Sequence, residues 1–176
     1  EVLHVEPPGI GDPMRLLYII SPLPACEQNY CWMLESRNKK SVVLDLKQAQ
    51  GHAVLMDLVL SADVLITTYQ TEVLADLNLS WEALHKLNPR LIFAHATGYG
   101  EVGAEADKPG YDATAWWARS GMMDAVRPRD AELALSTAAM GDHPSSVSLL
   151  AGLSMALSGR ERNGQGTKVS SSLAAN

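Results

Sequence analysis

The apolar positions of the chain alternate between short runs and stretches with helical spacing. The runs are rich in β-branched residues, and they predict strands at Val2–Val5, Ser41–Leu46, Asp63–Thr67, Arg90–Thr97 and Lys168–Leu173. Strands that alternate with helices are typical of a parallel sheet covered by helices. The pattern therefore predicts an open α/β fold.

The stretches between the predicted strands have the spacing of helices. One helix is predicted around Val54 to Ala62, one or two short ones over Thr71–Lys86, and another over Tyr111–Met123. The longest, Pro144–Arg160, carries apolar residues on nearly every face, which predicts that it is buried all round. Basic residues in its last turn and a glycine beyond it suit the negative end of the helix dipole.

Composition and charge limit the classes of function. The 176 residues are 47% hydrophobic and 19% charged, with a mean hydropathy of -0.03, which predicts one globular domain over residues 1–176. The net charge of -6 argues against nucleic acid and anionic membranes as partners. Apolar runs are too short for a bilayer span and no signal peptide is apparent, so we expect a cytoplasmic protein.

The sequence offers little support for a metal or a nicotinamide cofactor. Two cysteines and five scattered histidines lack the spacing of a metal site, so we expect no metal. Gly98–Gly103 matches the dinucleotide motif G-x-G-x-x-G after a strand, but Pro109 and Gly110 break the chain before a helix can form. We interpret this segment as a glycine-rich loop. A nicotinamide-linked oxidoreductase stays open as an alternative function.

Asp142 stands at the entrance of the longest predicted helix, between Met140-Gly141 and His143-Pro144. An aspartate there is typical of an N-cap, which is the simplest interpretation. The backbone N–H groups of a helix N-terminus also keep a carboxylate ionised, and a carboxylate nucleophile needs that charge. The two interpretations are compatible.

An ordered set of short motifs gives a more specific indication. The set includes Val5–Gly9, Gly11–Arg15, Arg37–Val42, Leu44–Lys47, Ala62–Ile66, Leu87–Ile92, Gly98–Gly100, Pro109–Asp112, Ser120-Gly121, Gly141-Asp142 and Arg160–Gly166. In this order, from Glu1 to about Leu173, the motifs resemble the front half of a family III CoA-transferase. The similarity is greatest to the crotonobetainyl-CoA, bile-acid and formyl-CoA transferases.

The resemblance implies a fold and an assembly. It implies a Rossmann-like, mostly parallel sheet with flanking helices, in a subunit that interlocks with a second one to form a homodimer. Residues 1–176 are then expected to be part of that domain, without the family's first strand and helix and without its second domain. The open α/β pattern agrees, because it begins on a strand and ends just after one.

The resemblance also implies a reaction and catalytic residues. Such enzymes move CoA from an acyl-CoA to a free carboxylic acid through an aspartyl-CoA thioester, so CoA would be a co-substrate. Asp142 matches the nucleophilic aspartate, and Tyr111 and Asp112 match a pair that lines the site. Loop glycines are the expected N–H donors to the oxyanion that forms. Some racemases of the family carry a histidine at the position of Tyr111, so tyrosine favours transfer over racemisation.

For CoA itself, the family pattern points to Leu44, Lys47, Thr68 and Tyr69. The chain departs from this pattern after Tyr69. The family continues with an Asn-x-x-Pro-Gly turn and a basic residue, whereas Gln70–Glu72 follow here and Asp76 lies nearby. A phosphate contact is therefore expected to be weaker. The alternatives are a non-catalytic CoA-binding or structural remnant that self-associates, and an acyl-CoA racemase of the same family.

Overall fold

A computed structural model describes residues 1–19 and 23–176, and Pro22, predicted to belong to the loop after the first strand, lies outside them. The chain forms two compact units, Glu1–Leu58 and Val59–Asn176. In the described residues the strands form a two-stranded sheet in the first unit and a three-stranded sheet in the second. All the pairings in both sheets are parallel, so the predicted α/β fold with parallel strands and flanking helices is confirmed.

The first unit is built on strands β1 (Val2–Glu6) and β2 (Lys39–Val43). Two short 3-10 helices, Pro13–Arg15 and Leu17–Ile19, and helix α1 (Tyr30–Glu35) lie between the strands, and α2 (Ala49–Ser61) follows them. The second strand begins and ends earlier than predicted. The Leu44 N–H still donates to the Glu6 carbonyl at 3.0 Å, so pairing continues one residue beyond β2.

Glu6 forms a buried ionic network at the carboxyl end of β1. Its side chain, 1% exposed, accepts hydrogen bonds from Arg15 Nε at 2.6 Å and Nη2 at 2.7 Å. It also accepts from Ser41 Oγ at 2.6 Å and the Asp12 N–H at 3.0 Å. The hydrogen bonds from Arg15 are the largest cause that lowers the pKa of Glu6, and they outweigh the opposing effect of burial. The Arg15 guanidinium also lies 3.9 Å from the Trp32 ring centroid.

The second unit contains strands β3 (Val64–Thr67), β4 (Ile92–Thr97) and β5 (Lys168–Ser172), with β4 in the centre. Helices α3 (Thr71–Asp76) and α4 (Trp81–Leu87) connect β3 to β4, as the sequence predicted. The segment that contains most of the central strand, residues 91–95, is at most 1% exposed and forms the middle of the core.

The segment predicted as one helix over Tyr111–Met123 is interrupted. It forms a π-helix, Asp112–Ala118, and then a short helix α5, Met122–Ala125. Gly121 separates the two with a left-handed backbone, φ 84°, which a continuous right-handed helix cannot contain. The indole of Trp117 fixes the π-helix to the following loop by donating to the Ala134 carbonyl at 2.8 Å.

The long helix α6 spans Asp142–Asn163 and packs against β4 and β5. The close approach to β5 depends on Gly152, where a Cβ atom would lie 2.7 Å from Val169 Cγ1. The prediction that this helix is buried on every face is wrong. Val147, Leu150 and Met155 are 58–69% exposed, because the helix packs on the sheet through one face while the others lie outside that contact.

Arg160 anchors the end of α6 to the start of the sheet. Its side chain is 7% exposed, and its Nη1 donates to the carbonyl of Asp63 at 3.2 Å and that of Arg90 at 3.3 Å. Its Nη2 forms an ion pair with Asp63 Oδ1 at 2.9 Å. Asp63 immediately precedes β3, and Arg90 lies just ahead of β4. Gly164 then ends the helix with φ 74°, as the glycine beyond the last turn predicted.

Within residues 1–19 and 23–176, no helix is both long and apolar enough to cross a bilayer. In the same part of the chain, no three His, Cys, Asp or Glu side chains are grouped so that they could hold a metal ion.

Candidate active site

Asp142 is the first residue of α6 and its side chain is exposed. The N-cap interpretation is wrong, because Gly141 occupies the cap and its carbonyl accepts from the Ser145 N–H at 3.1 Å. Pro144 lies in the first turn, where its missing N–H is tolerated. Asp142 therefore carries its carboxylate at the positive end of a 22-residue helix, where the dipole favours the ionised form.

Asp112 connects the π-helix to the residue that precedes Asp142. Its Oδ1 accepts a hydrogen bond from the Gly141 N–H at 2.8 Å. This bond fixes the peptide group of Gly141 just ahead of α6, next to Asp142 in the chain. The structure therefore brings two of the three predicted catalytic residues, Asp112 and Asp142, to one place. π-Helices are rare and are often found at functional sites.

Gly141 is enclosed by an aromatic side chain from the same π-helix. A Cβ atom at this position would overlap Cβ, Cγ and Cδ2 of Trp116. The backbone of Gly141 has φ -99°, which any residue adopts, so contact with the ring is the reason for glycine here. The Trp116 indole is itself held, because its Nε1–H donates to the Asn176 carbonyl at 3.0 Å.

Tyr111 lies one residue before the π-helix and is 75% exposed. Its N–H donates to Thr114 Oγ1 at 3.0 Å, which fixes its backbone. The segment before Tyr111 crosses the end of β4 closely, since a Cβ at Gly98 would lie 2.6 Å from Gly110 Cα. The glycines at these two positions therefore allow the loop after β4 and the start of the π-helix to lie together.

Two of the glycine N–H groups near the site already have acceptors within the chain. The Gly141 N–H donates to Asp112, and the Gly100 N–H donates to Thr97 Oγ1 at 3.0 Å. An oxyanion formed beside Asp142 would need other donors or a rearrangement of these hydrogen bonds. The segment after β4 agrees with its interpretation as a glycine-rich loop, because no helix begins in residues 98–110.

Leu44 and Lys47, the first pair of predicted CoA contacts, lie in the first unit just beyond β2. Leu44 is half-buried and paired to the end of β1, whereas Lys47 is exposed. The Lys47 N–H donates to Asp45 Oδ1 at 3.0 Å, which turns the chain toward α2. Lys47 thus lies beyond the carboxyl end of a parallel strand, where ligands of α/β sheets usually bind.

Thr68 and Tyr69, the second pair, lie in the second unit directly after β3, and both are exposed. The Tyr69 N–H donates to Thr67 Oγ1 at 3.2 Å, and Gln70 Nε2 donates to the Asp107 carbonyl at 3.3 Å. The turn is therefore attached to the loop that follows β4. Each pair of predicted CoA contacts lies beyond the carboxyl end of a strand in its own unit.

Two open clefts lie in the second unit. One, of about 470 Å³, is lined by Tyr99, Glu105, Lys108 and Arg119 among others. Glu105 accepts from Arg119 Nη2 at 2.7 Å and from Lys108 Nζ at 3.2 Å, and the hydrogen bond from Arg119 is the largest cause that lowers the pKa of Glu105. Two cations face one carboxylate, so this cleft has a net positive charge.

The other cleft, of about 300 Å³, lies at the carboxyl ends of β4 and β5. Hydroxyl and amide groups line much of it, from Thr97, Ser148, Ser170, Ser171, Ser172 and Asn176. Neither cleft is lined by Asp142 or Tyr111, which both lie on exposed surface of the second unit.

The sequence interpretation missed a charged cluster that lies next to Tyr69. His95, in the middle of β4, contacts Glu101 and the Tyr69 carbonyl, and Glu101 also pairs with Lys168 at 2.8 Å. A histidine inside an otherwise apolar strand was the available signal, because a polar ring that is buried in a sheet must find partners.

The chain is similar to known proteins of one family. Residues 1–176 match CoA-transferase family III. Cinnamoyl-CoA:phenyllactate CoA-transferase of Clostridium sporogenes is 37% identical over 174 residues, which are 98% of this chain and 42% of that protein. Formyl-CoA:oxalate CoA-transferase of Escherichia coli is 32% identical over 173 residues, which are 98% of this chain and 41% of that protein.

A solved structure is similar as well. The crystal structure of a CAIB/BAIF family protein from Brucella suis superposes with a TM-score of 0.87 and 27% identity, over 99% of this chain and 46% of that one. The chain spans about two fifths of the length of the curated relatives that it matches. The ordered motifs, the parallel α/β fold and the match over residues 1–176 lead to one conclusion: the chain belongs to CoA-transferase family III.

Proposed function

We propose that the whole protein transfers CoA from an acyl-CoA thioester to a free carboxylic acid, with Asp142 as the covalent nucleophile. The observation that carries the proposal is the position of Asp142, exposed at the N-terminus of α6 behind a peptide group that Asp112 fixes. An ionised carboxylate held in this way can attack a carbonyl carbon. The relatives at 32–37% identity are CoA-transferases by name, which supports the same reaction class.

The first half of the reaction forms a thioester on the enzyme. The Asp142 carboxylate attacks the thioester carbonyl, the C–S bond breaks, and CoA leaves as the thiolate, giving a mixed anhydride. The thiolate then attacks the Asp142 carbonyl of the anhydride, and the donor acid leaves as a carboxylate. The product of this half is an aspartyl-CoA thioester, and no proton is gained or lost overall.

The second half repeats these steps with the acceptor acid. Its carboxylate attacks the aspartyl thioester and releases the thiolate, which forms a second mixed anhydride. The thiolate then attacks the acyl carbonyl that came from the acceptor, so the new acyl-CoA leaves and the Asp142 carboxylate is regenerated. Asp112 acts in this scheme by holding the Gly141 peptide, and Tyr111 lines the approach to the nucleophile.

We further propose that CoA is bound by Leu44, Lys47, Thr68 and Tyr69. Each pair follows the carboxyl end of a parallel strand in its own unit, which supports a contact with a ligand at each of the two places. The cleft with Lys108 and Arg119 adds a positive region on the loop to which Gln70 is attached. CoA carries several phosphate charges, so this region supports binding even though the segment after Tyr69 carries Glu72 and Asp76.

Isotope exchange tests the proposed reaction. The whole protein is incubated with an acyl-CoA and its own carbon-labelled free acid, for a panel of acids, and label in the acyl-CoA is measured. The proposal predicts exchange for at least one pair, because formation of the aspartyl thioester releases the donor acid reversibly. CoA binding by calorimetry without exchange for any pair would overturn transfer and support a non-catalytic CoA-binding protein.

We also propose a homodimer. Val147, Leu150 and Met155 are exposed apolar side chains on one helix, α6, and they support association because an exposed apolar patch can mark an interaction surface. Multi-angle light scattering of the whole protein at tens of micromolar should give twice the monomer mass. A single species of monomer mass at that concentration would contradict the proposal.

A further inference from the structure

His95 is a buried polar residue in the central strand of the second unit. Its side chain is 1% exposed, and each ring nitrogen faces an acceptor: Nδ1 the Glu101 carboxylate, and Nε2 the Tyr69 carbonyl at 2.8 Å. A carbonyl oxygen can only accept, so Nε2 is the donor in the hydrogen bond to Tyr69.

Glu101 is held as the partner of this ring. Burial tends to raise the pKa of Glu101, but hydrogen bonds from Lys168 and His95 outweigh it, and the pKa is lowered. Lys168 Nζ lies 2.8 Å from the same oxygen that contacts His95. Three groups face His95: Glu101 from the loop, the Tyr69 carbonyl from the turn after β3, and the Phe93 ring within β4. Lys168 from β5 lies behind Glu101.

The turn that His95 contacts has no residue that presets its backbone. Thr68, Tyr69 and Gln70 include neither proline nor glycine, and all three are exposed. Three hydrogen bonds that involve side chains hold it instead: the Tyr69 N–H donates to Thr67 Oγ1, Gln70 Nε2 donates to the Asp107 carbonyl, and His95 Nε2 donates to the Tyr69 carbonyl. The His95 bond is the part-buried one of these, so it is shielded from competition by water.

We propose that His95 is a positioning residue for CoA: by holding the Tyr69 carbonyl, it fixes the turn at Thr68 and Tyr69 in the conformation that contacts the nucleotide. This inference rests on the proposed function, which makes the turn part of the CoA site. It adds a residue that touches no substrate and acts through the backbone of one that does. The Glu101–Lys168 pair supports it by keeping an ionised acceptor on the far side of the ring.

Calorimetric titration of three variants tests the inference, with CoA and adenosine 3′,5′-bisphosphate as probes. His95→Leu removes the donor to the Tyr69 carbonyl and should weaken binding of both probes by about tenfold, since both contain the nucleotide. His95→Gln restores a donor near Nε2 and should bind within about threefold of the wild type. His85→Gln, a half-buried histidine of α4 that packs on Trp81, is the control and should leave both affinities unchanged.

The outcomes separate this inference from the proposed function. Absence of CoA binding by the wild-type protein would overturn the CoA site and the role of His95 with it. Normal wild-type binding that His95→Leu leaves unchanged, or weakens for CoA alone, would overturn the role of His95 and leave the CoA site standing. Melting curves are recorded for every variant, and titrations are made well below the lowest midpoint, so that a folded protein is compared in each case.

Discussion

The Asp142→Asn variant is expected to lose CoA transfer by at least about 10⁴-fold while it keeps its fold. An amide is not nucleophilic enough to form the anhydride, so the whole route through the aspartyl thioester is closed. The side chain is exposed at the first position of α6, and the substitution removes its favourable interaction with the helix dipole. That loss is about 0.3–1 kcal/mol, a small part of the stability of a domain.

The measurement is the isotope exchange described above, with circular dichroism melting for each variant. Asp57→Asn is the matched control, because Asp57 is an exposed helical aspartate of the first unit and should leave exchange unchanged. Asp142→Ala is made in parallel, since deamidation of asparagine would restore aspartate but alanine cannot revert. Exchange above a few per cent of the wild-type rate in a folded Asp142→Ala protein would refute the nucleophile assignment.

The Glu6→Gln variant is expected to lower the free energy of unfolding by about 3 kcal/mol at pH 7. Four donor groups converge on the Glu6 carboxylate, from Arg15, Ser41 and the Asp12 backbone. A glutamine presents an NH₂ group where one oxygen accepts, so a donor would face donors inside a buried site. Denaturant unfolding followed by circular dichroism measures the change.

The lowered pKa of the Glu6 carboxylate also determines how the loss of stability in Glu6→Gln depends on pH. The pKa of Glu6 is lowered in the folded state from its ordinary value of 4.5, so the carboxylate contributes stability above pH 4.5 and loses it as pH falls toward the folded pKa. The difference in the free energy of unfolding between the wild type and Glu6→Gln should be constant near neutral pH, and it should narrow below about pH 4.5. Glu1→Gln, at an exposed pair with Lys40, is the control and should barely change the unfolding midpoint. A Glu6→Gln gap that widens in acid would contradict this assignment.

Much of the fold was predictable from local patterns. All the predicted strands are present, with ends that shift by up to three residues, and β2 shifts most because its pairing with β1 sets its ends. The two helices between β3 and β4 lie where the sequence predicted them. The single helix predicted after Tyr111 is interrupted instead, because Gly121 adopts a left-handed conformation that apolar spacing does not reveal.

The candidate site was predictable only in part. The motifs indicated Asp142 and Asp112, but their connection through the Gly141 N–H depends on the meeting of segments 29 residues apart. The burial of α6 was overestimated, because apolar content does not show which face packs on the sheet. The roles of His95 and Glu101 could not be predicted for a similar reason. Their partners, the Tyr69 carbonyl and Lys168, are far from them in the sequence.

Mass spectrometry of the covalent intermediate tests the central claim most directly. The whole protein is mixed with an acyl-CoA that supports exchange, without acceptor acid, then quenched in acid and digested. We predict that the peptide that contains Asp142 carries CoA as a thioester, that hydroxylamine removes it, and that Asp142→Ala never acquires it. Exchange at a normal rate with no adduct on that peptide, or with the adduct on another carboxylate, would contradict the assignment of Asp142 as the nucleophile.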